Sequence, residues 1–280
     1  MQAIRRVMVV AGVLFIVSAW PCLAQEASTA ASRPTLTPEE MERFLANGEI
    51  LATIRVSKGV TKARQVRMSD GRLTHDAQVQ DVDESKAIFE VDPKHTEVNF
   101  KDSYRYNIAA YRLSLLLGLD NVPMSVERVV ERKPAAVTWW LDDVMMEEGD
   151  RRKKQTYGPN PVRSIAYLGV MQVFDELIQN RDRNLGNMLW TKDWKLWMID
   201  HTRAFRTGKD LLSPKALMRC ERALFDKMKT LTAAQLTEVM GKNLLKDEIE
   251  TLIVRRDKIV KLIESRIDEN GEAKTLYTLQ

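Results

Sequence analysis

The sequence predicts an α+β fold in two parts: a β-rich N-terminal lobe, then a mainly helical C-terminal lobe that carries one hairpin. Three observations predict it. Short apolar–polar alternations broken by turn residues recur over residues 50–91 and again over 122–140. From residue 162 onward apolar residues fall mostly at helical spacing. One stretch interrupts that pattern: Asn180-Arg181-Asp182-Arg183-Asn184-Leu185-Gly186-Asn187, then Trp194-Lys195-Leu196-Trp197-Met198-Ile199-Asp200. It reads as a helix ending in a polar loop, a tight hairpin, and a second strand that delivers an aspartate.

At 280 residues the chain suffices for one large domain or two lobes with an ample core. Its 44% hydrophobic and 29% charged content is that of a globular protein. The formal charge is +4, and removing Arg5 and Arg6 with the leader leaves +2. That near-balance gives no support to nucleic-acid binding. The leader, residues 1–24, has the parts of a secretory signal: Arg5-Arg6, an apolar run over 7–20, and Cys22-Leu23-Ala24 as a small-x-small cleavage site. The run is shorter than the roughly 20 residues a membrane-crossing helix needs, so no span is expected after its removal. Pro21 argues against a lipoprotein signal. The expected location is periplasmic or secreted. Without the leader only Cys220 remains, read as a small buried residue on a helix.

Residues 25–37 read as a flexible Ala/Ser/Thr spacer. Thr37, Pro38 and Glu40 then start a helix as N-cap, first helical residue and capping-box partner, and Gly48 ends it. Strands follow at 50–56, 63–68, 73–82 and 87–91, with turns around Lys58, Gly59, Lys62 and Gly71. A helix with Tyr104, Ile108, Tyr111, Leu115 and Leu116 on one face closes at Gly118. Strands resume at 122–130 and 136–140. Residues 145–154 are a polar crossing between the lobes, set as 38–145 and 146–270. Ile165, Leu168, Met171, Phe174, Leu177 and Ile178 stripe the helix that leads into the Asn180 loop. Thr232 and Gln235 form a second capping box, and Ile249, Leu252, Ile253, Val260 and Ile263 stripe a late helix. Residues 271–280 are expected to be a loose tail.

Asp182 and Asn187 stand in D-x-x-x-x-N spacing, and Asp200 ends the strand beyond the Lys192-Asp193 turn. Phosphoryl transfer needs a carboxylate to accept the nucleophile's proton and hard oxygen ligands for Mg²⁺. Asp182 suits the first task, Asn187 and Asp200 the second. The bland alternative is an ordinary polar connection, since Asn, Asp and Gly favour turns. A calcium loop is a third reading, but its glycine falls one place late and the twelfth position lacks Glu. The joint occurrence of loop, spacing, hairpin and strand-end aspartate favours the phosphotransfer reading.

On these residues the chain resembles the atypical, lipid-kinase-like branch of kinases: phosphatidylinositol 3-/4-kinases, HipA-type bacterial kinases and the secretory-pathway kinases. The resemblance is clear over about residues 160–206 and fainter over 104–130. It implies a two-lobed protein-kinase-like fold, Asp182 as catalytic carboxylate, Asn187 and Asp200 as ligands of Mg²⁺ or Mn²⁺, and ATP or another nucleotide as cofactor. Such kinases pair a strand lysine with a helix glutamate. Here the matching positions are Gln80 and Asn107, two neutral amides placed face to face across the nucleotide cleft. Gly59 takes the glycine-loop position, where Lys58 or Lys62 could supply the missing charge or simply be solvated. Trp140, beside Trp139, lines an adenine pocket or packs in the core. His201 orients Asp200; Arg203 and Arg206 pair with the catalytic loop, bind a phosphate, or form surface ion pairs. The expected function is an exported, nucleotide- and metal-binding phosphotransferase. The alternatives are a secreted pseudokinase acting as scaffold or sensor, and a structural protein with no nucleotide site. The acceptor stays open among protein, lipid and small molecule.

Overall fold

The computed structural model describes residues 36–56, 63–92 and 95–279. The leader, nearly all of the spacer, and the loop holding Lys58, Gly59 and Lys62 lie outside the described residues. Helix α1 (Pro38–Asn47) has the expected capping box, with Glu40 N–H donating to Thr37 Oγ1 at 3.2 Å and Thr37 N–H to Glu40 Oε2 at 2.9 Å, and it stops at Gly48. Strands β1 (Glu49–Val56), β2 (Arg64–Ser69) and β3 (Thr74–Gln80) follow, then β4 (Asp83–Asp92) and β5 (His95–Ser103). Helix α2 (Arg105–Leu116) separates them from β6 (Ser125–Val130) and β7 (Lys133–Trp139). β1, β2, β3, β7 and β6 form, in that spatial order, one antiparallel sheet. Phe44 and Leu45 of α1 are buried, and Phe44 meets Trp139 edge-on at 5.7 Å.

The β4–β5 hairpin stands outside that sheet as a two-stranded arm. Sequence periodicity finds only part of β4 and none of β5, whose nine residues hold only Val98 and Phe100 as apolar side chains. Helix α2 departs from its expected single stripe: Leu115 is 51% exposed, while Asn107, Ala109, Ala110 and Leu113 are buried. The helix lies between β6 and β7 on one side and the helix Ala233–Met240 on another, so small and amide side chains are enclosed as well.

The crossing is more ordered than its polarity suggests. It contains β8 (Val144–Glu147), paired antiparallel with β9 (Met188–Thr191), and α3 (Glu148–Lys153). Glu148 is fully buried and takes bonds from Arg151 (2.6 and 2.8 Å), Arg152 (2.8 Å) and Trp190 Nε1 (2.9 Å), which satisfies its charge. Helix α4 (Pro161–Ile178) buries Met171, Phe174, Leu177 and Ile178, but Ile165 of its expected stripe is exposed. After it come β9 (Met188–Thr191) and β10 (Leu196–Met198), then β11 (Cys220–Glu221) and helices α5 (Arg222–Thr230), α6 (Ala233–Met240) and α7 (Lys246–Asn270). Thr232 and Gln235 cap α6 as expected. Cys220 is buried but on a strand, not a helix, and burial pushes its thiol up to about 12.

The C-terminal segment is not loose. It forms α8 (Glu272–Thr275) and β12 (Leu276–Tyr277), and β12 pairs in parallel with β11. The Tyr277 hydroxyl donates to Ala166 O at 2.9 Å over Gly169, where any side chain would collide with it. This contact spans 111 residues of sequence, which is why local pattern did not reveal it. Among the described residues no helix is long and apolar enough to cross a membrane.

Candidate active site

Helix α4 ends on Gln179 in the left-handed region, φ 50°, which turns the chain into the polar loop. Asn180 folds back, its Nδ2 donating to Asp175 Oδ1 at 3.0 Å, and its Oδ1 accepts the Asp182 N–H at 3.1 Å. Such Asx turns are a regular use of asparagine in connections. Asn184 then caps a short 3-10 turn, accepting from the N–H groups of Gly186 (2.9 Å) and Asn187 (3.2 Å).

Asn187 makes two of the bonds that join the loop to the hairpin. Asn187 Nδ2 donates to Asp182 O at 3.1 Å, and Ile199 N–H donates to Asn187 O at 3.1 Å. Asn187 therefore sits between the residue before Asp200 and the backbone of Asp182. Asp200 itself adopts φ 53°, and its Oδ1 accepts from Thr202 Oγ1 at 3.0 Å. Burial pushes the Asp200 carboxyl up, and the neighbouring Asp182 adds to this; bonds from Thr202 and the Arg183 charge oppose it.

Arg183 is the residue sequence reasoning missed. Its guanidinium forks onto Asp175 (2.9 and 3.0 Å) and donates to the carbonyls of Asn187 and Ile199, both at 2.7 Å. It also approaches His201 Nε2 at 3.0 Å. Arginine can only donate, so that nitrogen accepts and His201 is neutral with its proton on Nδ1. Burial and the Arg183 charge hold the His201 pKa well below its ordinary value. His201 thus positions Arg183, and the expected orientation of Asp200 by His201 is corrected: Thr202 does that. The only sequence signal for Arg183 was its place directly after Asp182.

On the sheet side, Asn107 Nδ2 donates to Gln80 Oε1 at 2.6 Å, so the two amides that the sequence places face to face do meet. Asn107 Oδ1 accepts the His201 N–H at 2.8 Å. That bond fixes which end of the Asn107 amide is oxygen, and hence leaves Gln80 Nε2 as a buried donor with no partner among the described residues. A cavity beside Asp200 is lined by Gln78, Asn107, Pro123, Ser125, Thr138 and His201 among others. Trp140 is not on that lining and is 37% exposed; Trp139 stacks on His75 at 3.9 Å. Arg203 pairs with Glu97 at 2.6 Å and lies 3.7 Å from Asp182; Arg206 also contacts Glu97.

The donors fit a small hard cation. Among the described residues no three His, Cys, Asp or Glu side chains converge. Asp200 offers one carboxylate and Asn187 one amide oxygen, its nitrogen being committed to Asp182. A sparse set of this kind suits Mg²⁺ or Mn²⁺ that keeps waters and binds phosphate oxygens.

No protein-family model matches the chain, and no curated protein matches it. Solved structures do. A Fam20 protein of hydra, solved with sugar, superposes with a TM-score of 0.64 at 13% identity, over 86% of this chain and 92% of that one. The Golgi casein kinase gives a TM-score of 0.59 at 15% identity, over 85% and 78%. Its structure with Mn/ADP bound gives 0.58, at the same identity and coverage. At such identities the likeness carries the fold: this chain has an atypical kinase-like fold of the α+β class.

Proposed function

We propose that this kinase-like chain is an exported phosphotransferase that binds Mg²⁺ or Mn²⁺ with ATP or another nucleotide. The observation that carries the reading is that two hydrogen bonds tie Asn187 to the Asp182 backbone and to Ile199, the residue before Asp200, at the end of one hairpin. The Mn/ADP-bound form of the Golgi casein kinase supports the choice of ligands. The sequence of the leader supports export to the periplasm or beyond.

In this reading an acceptor hydroxyl attacks the terminal phosphorus, and its proton passes to the Asp182 carboxylate. The bond from that phosphorus to the bridging oxygen breaks, and the nucleoside diphosphate leaves with the electron pair. Asn187 and Asp200 would hold the metal, which offsets phosphate charge when bound. Gln80 would offer its free N–H to a phosphate oxygen, where related kinases use lysine. Trp140 would act at the rim of the base site.

A second reading, a pseudokinase serving as scaffold or sensor, is favoured by one observation: the Lys–Glu pair is replaced by Gln80–Asn107. Thermal shift of the protein with Mg²⁺ or Mn²⁺ and a nucleotide panel, followed by turnover with labelled nucleotide, tests both. Metal-dependent stabilisation with turnover that Asp182→Ala removes supports the enzyme. Stabilisation without turnover selects the pseudokinase, and no stabilisation by any pair rejects both.

A further inference from the structure

The β4–β5 arm reaches the catalytic loop through a chain of ions. Glu97 on β5 takes Arg203 Nη2 at 2.6 Å and contacts Arg206, and Arg203 Nη1 lies 3.7 Å from Asp182 Oδ2. The ring of Phe100 backs both guanidiniums, 5.0 Å from Arg203 and 5.9 Å from Arg206. In an unbroken strand residues three apart face opposite ways. Asn99, at φ 55°, breaks the alternation, so Glu97 and Phe100 both turn inward while Val98 is 64% exposed. Asparagine tolerates the left-handed region better than most non-glycine residues, so the sequence can place the break there.

The charges also speak to role. Two guanidiniums meet Glu97 and Asp182, and the buried Asp102 carboxylate also feels Arg203, so the group leaves no spare cation to capture an anionic ligand. Glu97 and Arg206 are nearly enclosed, with 12% and 5% of their side chains exposed, whereas Asp182 keeps 38%. The enclosed end fixes the open end. We propose that Arg203 is a positioning residue for Asp182 and that Glu97 sets Arg203, so that the β4–β5 arm orders the catalytic loop. This rests on the reading of Asp182 as the catalytic carboxylate.

Hydrogen–deuterium exchange of the full chain tests the positioning without needing turnover. The amides of Asp182 and Asn184 are both bonded within the loop, at 3.1 and 2.8 Å, so their exchange reports its opening. Glu97→Ala and Arg203→Ala should each speed that exchange about tenfold, leaving α4 amides as they are, because local opening is separable from global unfolding. Arg203→Lys should fall between, since lysine keeps the charge but not the fork. Val98→Thr, on the outer face, should change nothing. In a turnover assay Glu97→Ala should lower kcat about tenfold at constant nucleotide KM, the pattern of a group acting after binding. Loop exchange in Glu97→Ala equal to that of the parent overturns the proposal, whatever the turnover. If Glu97→Ala speeds exchange everywhere, Glu97→Gln, which preserves the shape, takes its place with the same two outcomes. A parent without turnover whose loop loosens in Glu97→Ala would reject the phosphotransferase reading and uphold the positioning chain.

Discussion

On the hairpin side of the cleft, Arg183 draws Asp175, two backbone carbonyls and His201 onto one guanidinium. On the sheet side, Gln80 and Asn107 meet as neutral amides. Both arrangements end at the same place, because Asn107 holds the N–H of His201 while Arg183 approaches its ring. The difference lies in how each fails. A buried ion network stabilises only while complete, since losing one member strands the others in a low dielectric. A neutral pair transmits position with a smaller penalty for loss.

The largest expected effect follows from breaking the charged side. Arg183→Ala leaves Asp175 with only the Asn180 amide on its carboxylate and strips the Ile199 carbonyl of its donor, while the Asn187 carbonyl keeps the Ile199 N–H, so denaturant unfolding should show a loss of about 3–5 kcal/mol. A loss under about 1 kcal/mol, the worth of an exposed pair, would erase the contrast between the two sides.

Next comes the support behind the hairpin. Burial alone would raise the Glu148 carboxyl, but bonds from Arg151, Arg152 and Trp190 outweigh it and bring it down to about 2. A lowered carboxylate contributes stability fully above its unfolded value of 4.5 and loses it as pH falls through about 2. The shift corresponds to about 3 kcal/mol. Glu148→Gln should therefore be less stable than the parent at pH 7 by about that amount, with the gap closing between pH 4.5 and 2 in parallel urea titrations.

These two sites differ in how far the sequence disclosed them. Asp182, Asn187 and Asp200 were legible because their positions follow from spacing along one loop and one hairpin, where local geometry fixes distance. Arg183 was not, because an arginine in a polar loop looks the same whether solvated or enclosed. Glu148 was hidden in the same way within a crossing that reads as polar. The β5 strand was hidden because Val98 and Phe100 are its only apolar residues, and the terminal strand depends on Tyr277 finding Gly169, a contact that no window of sequence contains. The α+β class emerged from periodicity, and the helix starts at Thr37 and Thr232 from their capping boxes; long-range ion pairs did not.

The third effect separates ligand binding from folding. Asp200→Ala should remove metal-dependent stabilisation by nucleotide, about 2.7 kcal/mol at a ligand concentration a hundredfold above Kd. The apo protein should be as stable as the parent or slightly more, because burial and Asp182 both disfavour the Asp200 charge. Isothermal calorimetry with Mn²⁺ and nucleotide, beside an apo melt, reads both. Retained metal-dependent binding in the variant would move the metal site elsewhere.

The smallest quantity, a coupling energy, probes the neutral side directly. Gln80→Lys places an ammonium opposite the Asn107 Nδ2, donor facing donor, in a position 2% exposed. Asn107→Glu keeps an acceptor for the His201 N–H but removes the donor to Gln80 and adds a negative charge near Asp200. The second change should therefore cost less than the first, an asymmetry set by the His201 bond. Together the two changes recreate an ion pair, and a double-mutant cycle should show a favourable coupling of about 1 kcal/mol or more. The pair would also present a cation where Gln80 now presents a free N–H, so nucleotide affinity should rise and become more sensitive to salt. Strict additivity would mean that the two side chains do not exchange their partner in solution. Coupling without a gain in affinity would leave the amides as a mechanical link between sheet and hairpin, and would move phosphate recognition to the opposite wall.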